Sequence, residues 1–303
     1  MYKLFMKYLI SVLFLLGLSI SANAEFKVGF VYVGPVTDHG WTYQHDEGRK
    51  AVEAAGIKAT YVESVQYGAD SERVIRQLAQ SGHDLIFTTS FGYMDPTNNV
   101  AKDFPNVKFE HATGYKMDHP NVSVYSARFY QGRTLLGHIA GKMTKTNTIG
   151  YIASFPIPEV IRGINAMTLA AQKVNPDIKT KIIWVFSWYD PGKEAEAAQA
   201  LIDQGADIIM QHTDSTAAVQ VAEKAGVWSF GQASDMRKFA PKSILTSIID
   251  DWAPYYVERS IAARDGTWSQ QNTWHGLKEG MVAMAPYNPC LLYTSDAADD
   301  VHR

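Results

Sequence analysis

The chain has 303 residues, a formal net charge of −3 and one cysteine, Cys290. Mixed charge without a basic stripe argues against nucleic acid as a partner, and the cysteine count excludes internal disulfides and Cys-based metal sites. Seven Trp and sixteen Tyr exceed what a plain α/β core needs, so aromatic side chains are the compositional signal.

The elements begin after a leader. Lys3 and Lys7 precede an apolar run over residues 8–20, and Ala22-Asn23-Ala24 has the small residues of a cleavage site, so residues 1–24 read as a secretory signal peptide cleaved after Ala24. That predicts an exported, periplasmic protein. Strand and helix patterns then alternate, with strands expected at 26–33, 59–62, 84–88, 108–111 and 122–125, and helices at 41–55, 71–80 and 96–103. The second half repeats the scheme, with strands at 148–153, 181–186, 207–210, 228–230 and 244–248 and helices at 131–143, 158–174, 192–203, 215–225 and 252–265. Such alternation predicts an α/β fold of parallel sheets wound with helices on both faces.

A repeat divides the chain. Gln77-Leu78-Ala79-Gln80-Ser81-Gly82-His83-Asp84-Leu85-Ile86-Phe87 returns 123 positions later as Ala200-Leu201-Ile202-Asp203-Gln204-Gly205-Ala206-Asp207-Ile208-Ile209-Met210. Each copy reads as a helix end, a Gly stop, an Asp and a buried strand. Two doubly wound lobes are therefore expected, residues 25–126 plus 250–289 forming one and 127–249 the other, joined by hinge strands near 124–128 and 245–250. Residues 290–303, from Cys290-Leu291-Leu292-Tyr293-Thr294-Ser295 onward, resemble a translated sequencing-library adapter and are expected to be a non-native tail.

In open parallel sheets, ligands sit at the carboxyl ends of the strands. There the sequence places Trp41, Phe91, Tyr93 and Trp188, flat faces suited to a planar ligand, and the carboxylates Asp38, Asp95, Asp190, Asp214 and Asp235, which accept N–H or O–H donors and repel anions. Helix capping is the plainer explanation for Asp38 and Asp214, and turn formation for Asp190. His39 and His45 lie six apart and His111 and His119 eight apart, neither a metal-ligand spacing, so no metal or cofactor is expected. Gly-x-Ser-x-Gly and P-loop patterns are absent, which leaves an enzyme as the minority reading.

Gly34-Pro35-Val36-Thr37-Asp38-His39-Gly40-Trp41, Phe91-Gly92-Tyr93-Met94-Asp95-Pro96, Trp188-Tyr189-Asp190-Pro191-Gly192-Lys193-Glu194 and Gly231-Gln232-Ala233-Ser234-Asp235 together resemble the BMP (basic membrane protein) family of ABC importer substrate-binding proteins. The resemblance spans residues 25–289 and implies the type I periplasmic binding protein fold, a small-molecule purine ligand, an adenine-like base or a nucleoside, and a membrane permease as partner. By residue, it implies ligand contacts for Asp38, Trp41, Phe91, Trp188 and Asp235. Relatives carry Lys in a Thr-Ser-x-x-Lys segment where Thr246-Ser247-Ile248-Ile249-Asp250 ends in Asp; this departure favours a free base, unless Asp250 is a helix cap. A monomer is expected. The alternatives are a secreted nucleoside hydrolase, a receptor for another small planar or polar ligand, or a repressor of the same fold, whose N-terminal helix-turn-helix would stand where the leader does.

Overall fold

The computed structural model describes residues 25–293, so the leader and residues 294–303 of the expected tail lie outside it. Two six-stranded sheets hold the chain, each flanked by helices. The first sheet contains β1 (Lys27–Val31), β2 (Lys58–Val62), β3 (Leu85–Thr88), β4 (Lys108–Ala112), β5 (Val122–Ala127) and β11 (Asn272–His275), in the order β11-β5-β4-β3-β1-β2. The second contains β6 (Thr148–Ala153), β7 (Lys179–Trp184), β8 (Ile208–His212), β9 (Trp228–Gly231), β10 (Ile244–Asp250) and β12 (Val282–Met284), in the order β12-β10-β9-β8-β6-β7. The orders match strand for strand. Every pairing is parallel except that of β12 with β10.

The helices are α1 (Trp41–Ala54), α2 (Ala69–Gln80), α3 (Met94–Ala101), α4 (Phe129–Met143), α5 (Pro158–Val174), α6 (Pro191–Asp203), α7 (Ala217–Ala225) and α8 (Ala253–Arg264). The central strands are apolar and fully buried, as strands covered on both faces must be: Leu85, Ile86 and Phe87 in β3, Ile208, Ile209 and Met210 in β8. Among the described residues no helix is long and apolar enough to cross a membrane.

The sequence repeat is a repeat of hydrogen bonds. Gly82 and Gly205 stop α2 and α6 at φ of 80° and 94°, backbone that glycine adopts without steric cost. The next residues reach back alike, His83 N–H to Leu78 O and Ala206 N–H to Leu201 O. The following Asp bridges neighbouring strands in both copies: Asp84 N–H donates to Lys27 O and its carbonyl accepts from Lys108 N–H, while Asp207 N–H donates to Thr148 O and its carbonyl accepts from Trp228 N–H.

The end of the chain departs from expectation. β11 joins the first sheet beside β5, and β12 then joins the second beside β10. Residues 250–289 therefore do not all return to the first lobe: the backbone passes between sheets after β5, after β10 and again between β11 and β12. Packing also continues past residue 289, where Pro289–Tyr293 forms a 3-10 turn and Leu291 is buried in the main core.

Candidate functional site

Strand ends from both sheets enclose a narrow pocket of about 320 Å³. The first lobe contributes Val33, Trp41, Ser90, Phe91 and Thr113; the second contributes Glu159, Trp188, His212, Asp214 and Gln232. The lobes touch around it. Ser234 Oγ donates to His39 O, and the His39 and Phe239 rings lie 4.7 Å apart. A Cβ on Gly40 would lie 2.8 Å from Asp214 Cα and closer still to its carbonyl oxygen, so only glycine allows this approach.

Of the aromatic residues expected there, Trp41, Phe91 and Trp188 line the pocket. Trp41 is fixed by its indole N–H, which donates to Thr89 O at 2.6 Å, and by edge contacts with His45 and Trp252. Trp188 leans on Phe155 and His212. Tyr93 does not belong to this set. It is fully buried in the first lobe's core, and its hydroxyl donates to Val65 O at 2.7 Å. The 3-10 turn over Phe91–Tyr93 sends alternate side chains in different directions, a detail helix periodicity does not predict.

The carboxylates separate into distinct roles. Asp38 is occupied as a cap: its two oxygens accept from the backbone N–H of Gly40, Thr42 and Tyr43 at the start of α1. Burial raises its pKa to about 6, against the lowering effect of those three donors. Asp235 is turned away, its carboxylate gripped by the Arg237 guanidinium at 2.6–3.1 Å. Asp190 caps α6 by accepting from Lys193 N–H, and Asp95 pairs with Lys116. Asp250, the last residue of β10, is fully buried with neither carboxyl oxygen hydrogen-bonded; Asp251 accepts from Ala253 N–H at the start of α8 in its place. Asp250 is not among the residues lining the pocket.

Two carboxyls line the pocket, Glu159 and Asp214, and Asp214 is the more deeply set. It is 2% exposed and its Oδ2 has no hydrogen-bond partner. It does not cap α7, whose first turn is served by Ser215 Oγ accepting from Ala217 N–H. Its loop is clamped instead: Glu194 accepts from Ser215 N–H, and Gln211 Nε2 donates to Thr213 O and Ser215 O. Burial first, then the nearby carboxyls of Asp38, Glu194 and Asp250, push the Asp214 pKa well above the usual carboxylate range. A carboxyl held protonated both donates and accepts.

Three polar wall residues were not anticipated. His212 ends β8, its Nε2 lies 3.5 Å from Glu159 Oε1, and its buried Nδ1 is unpartnered. Gln232 receives a short hydrogen bond from Arg133 Nη2 on its Oε1. Because arginine only donates, this fixes the amide's orientation and leaves its NH₂ without a partner among the described residues. Among the described residues no group of three His, Cys, Asp or Glu side chains is placed to hold a metal.

Residues 26–301 match the model of the Bmp family, described as ABC transporter substrate-binding protein PnrA-like. This chain belongs to the Bmp family. A purine-binding protein of Brucella abortus (strain 2308) is 60% identical over 277 residues, covering 90% of this chain and 79% of the relative. A Haloferax volcanii protein whose name assigns it to glucose binding in an ABC transporter is 44% identical over 271 residues, covering 89% and 69%. Among solved structures, an ABC transporter solute-binding protein from Aeropyrum pernix K1 superposes with a TM-score of 0.78 at 21% identity, over 91% of this chain and 80% of that one. The Bmp protein described here is thus an ABC transporter substrate-binding protein with two α/β lobes. The family match runs past Cys290, the point from which a foreign tail is expected.

Proposed function

We propose that this substrate-binding protein takes a purine, as free base or nucleoside, between its lobes in the periplasm and delivers it to a membrane permease. The observation that carries the reading is the pairing, in one interlobe pocket, of three aromatic side chains with the buried, unpartnered Oδ2 of Asp214. Trp41, Phe91 and Trp188 offer faces to a planar ring, and stacking contributes about 1–3 kcal/mol per base. Asp214 and the Gln232 amide offer hydrogen bonds to its edge. The 60% identity to a purine-binding protein supports the same ligand class.

The test is a thermal-shift panel of purines, pyrimidines, nucleosides, glucose and amino acids on the mature chain. A ligand at about 100 times its Kd adds roughly 2.7 kcal/mol of stability. Purines are expected to raise the melting temperature and glucose to leave it unchanged. A flat response to every purine, or a shift with glucose alone, sinks the proposal. Purine nucleosides incubated with the protein are expected to be recovered intact; release of free base would favour a hydrolase.

A further inference from the structure

Arg133 stands where the helix pattern asks for an apolar side chain. α4 buries Phe129, Leu136 and Ala140, and Arg133 lies on the same stripe, 1% exposed. A buried cation is ordinarily paired with a carboxylate, and here none bonds it. Burial holds the Asp250 carboxyl well above the ordinary range and Arg133 is close enough to oppose that, yet neither Asp250 oxygen has a hydrogen-bond partner, nor has Arg133 Nε. Among the described residues two things hold the guanidinium. One is the face of Tyr151 on β6, whose ring centre lies 5.5 Å from Cζ; the other is Gln232 Oε1, to which Nη2 donates. Gln232 lines the pocket and Arg133 does not.

That hydrogen bond removes a freedom glutamine otherwise keeps. Gln232 directly follows β9, and the main chain around it is pinned: Ser234 N–H donates to Gln232 O at 2.7 Å and Asp250 N–H to Ala233 O at 2.8 Å. What remains is the terminal amide torsion, which is broad and two-fold, so an unpartnered amide exchanges its oxygen and NH₂ at little cost. Arg133 makes the two orientations unequal. One sets the oxygen on a guanidinium, a charge-assisted bond; the other sets an NH₂ against it, donor against donor. The oxygen therefore stays on Arg133, and the NH₂ is left for the pocket that Gln232 lines.

Building on the purine reading, we propose that Arg133 is a positioning residue for specificity: from behind the wall it holds Gln232 Oε1, commits Gln232 to donation, and so selects a base that turns an acceptor ring nitrogen toward it. A C–H or N–H at that point of the ring would face an NH₂ that cannot turn. Asp214 works differently, because a protonated carboxyl both donates and accepts and tolerates either edge. Discrimination for an acceptor therefore falls to Gln232. The same arrangement accounts for a buried cation without an ion pair, since a carboxylate bonded to Arg133 would compete with Gln232 for its N–H groups.

The test takes whichever of adenine, hypoxanthine and guanine binds the wild type tightest and compares it, by calorimetry, with analogues in which each acceptor ring nitrogen is replaced in turn by C–H. One analogue is expected to bind roughly five- to tenfold more weakly than its parent, the scale of one hydrogen bond. In Arg133→Met, which keeps an unbranched stem and removes the donors, that ratio is expected to shrink to within about twofold, the cost of choosing between two amide orientations. In Gln232→Glu, where Arg133 is kept and the wall only accepts, the parent is expected to bind no better than that analogue. A wild-type ratio that persists in either variant, even where parent and analogue weaken together, overturns the assignment, as does a wild type that binds every analogue like the parent; each of these leaves the purine reading intact. Should Arg133→Met fail to fold, Gln232→Glu at the pocket wall decides alone. Failure of every purine on the wild type would instead remove the reading beneath it.

Discussion

Asp214 is where burial, geometry and chemistry meet most closely. Its carboxyl is buried with three others near enough to act on its charge, so ionisation there is disfavoured both by lost hydration and by like-charge neighbours. Its protonated form presents one donor and one acceptor, the pattern of an amide. Asp214→Asn is therefore expected to keep ligand affinity within a few-fold, whereas Asp214→Ala, which removes both functions, costs about 1–3 kcal/mol of binding. The sign of the stability effect follows from the raised pKa: protonation favours the fold below the ordinary carboxylate pKa, and that contribution is lost as pH rises through the native value. The melting temperature of Asp214→Asn relative to wild type is thus expected to increase as pH rises, measured without ligand; a difference independent of pH would show that Asp214 is ionised in the fold. Trp188→Ala removes a pocket wall and is expected to abolish the ligand-induced thermal shift. Trp268→Ala should retain it, because the Trp268 indole N–H donates to Glu110 under the first sheet, outside the pocket's walls.

At the scale of elements, the junction of α1 with the opposite lobe controls closure. Gly40 is the residue before α1, and its backbone lies against Asp214 so tightly that a methyl group would collide with main chain, which cannot swing aside. Gly40→Ala is expected to hold the lobes apart. Ligand affinity should fall by at least about tenfold, since a missed closure forfeits contacts worth more than 1.4 kcal/mol, while the ligand-free melting temperature changes little. Equal losses in binding and stability would place the collision within one lobe instead. Much of this element scale was legible in the sequence. Alternating apolar runs gave the two sheets, and the repeat gave their equivalence, because Gly82 and Gly205 are needed at the same left-handed helix stop. β11 and β12, four and three residues long, escaped because Asn272–His275 and Val282–Met284 are too short to carry a period. In the pocket, strand-end aromatics were legible; Glu159, His212 and Gln232 were not. His212 sits inside a strand rather than after it, Glu159 inside the first turn of a helix, and in the loop after β9 the charge belongs to Asp235, three positions beyond the uncharged Gln232 that Arg133 orients.

Across the whole molecule, two sheets of like order are joined by three passages of the chain, and the segment after β10 must be anchored for the lobes to hinge rather than separate. α8 packs against α1 in the first lobe, and the anchor is polar. Glu110, on β4 and fully buried, accepts from Arg259 Nε at 2.6 Å, Tyr255 hydroxyl at 2.7 Å and Trp268 Nε1 at 2.7 Å, while Arg259 Nη2 also donates to Ser123 Oγ and Ser269 O. A buried pair so fully hydrogen-bonded adds little over an apolar contact of the same volume, but removing one partner strands the other charge. Arg259→Ala is expected to cost about 3–5 kcal/mol of unfolding free energy, and Glu110→Leu a similar amount by orphaning three donors. The double variant should cost less than the sum, since neither charge is then left unpaired. Chemical denaturation followed by tryptophan fluorescence measures all three. Because neither Glu110 nor Arg259 lines the pocket, each variant's folded fraction should still bind ligand with wild-type affinity; a parallel loss of affinity would mean that the anchor also sets the angle between the lobes.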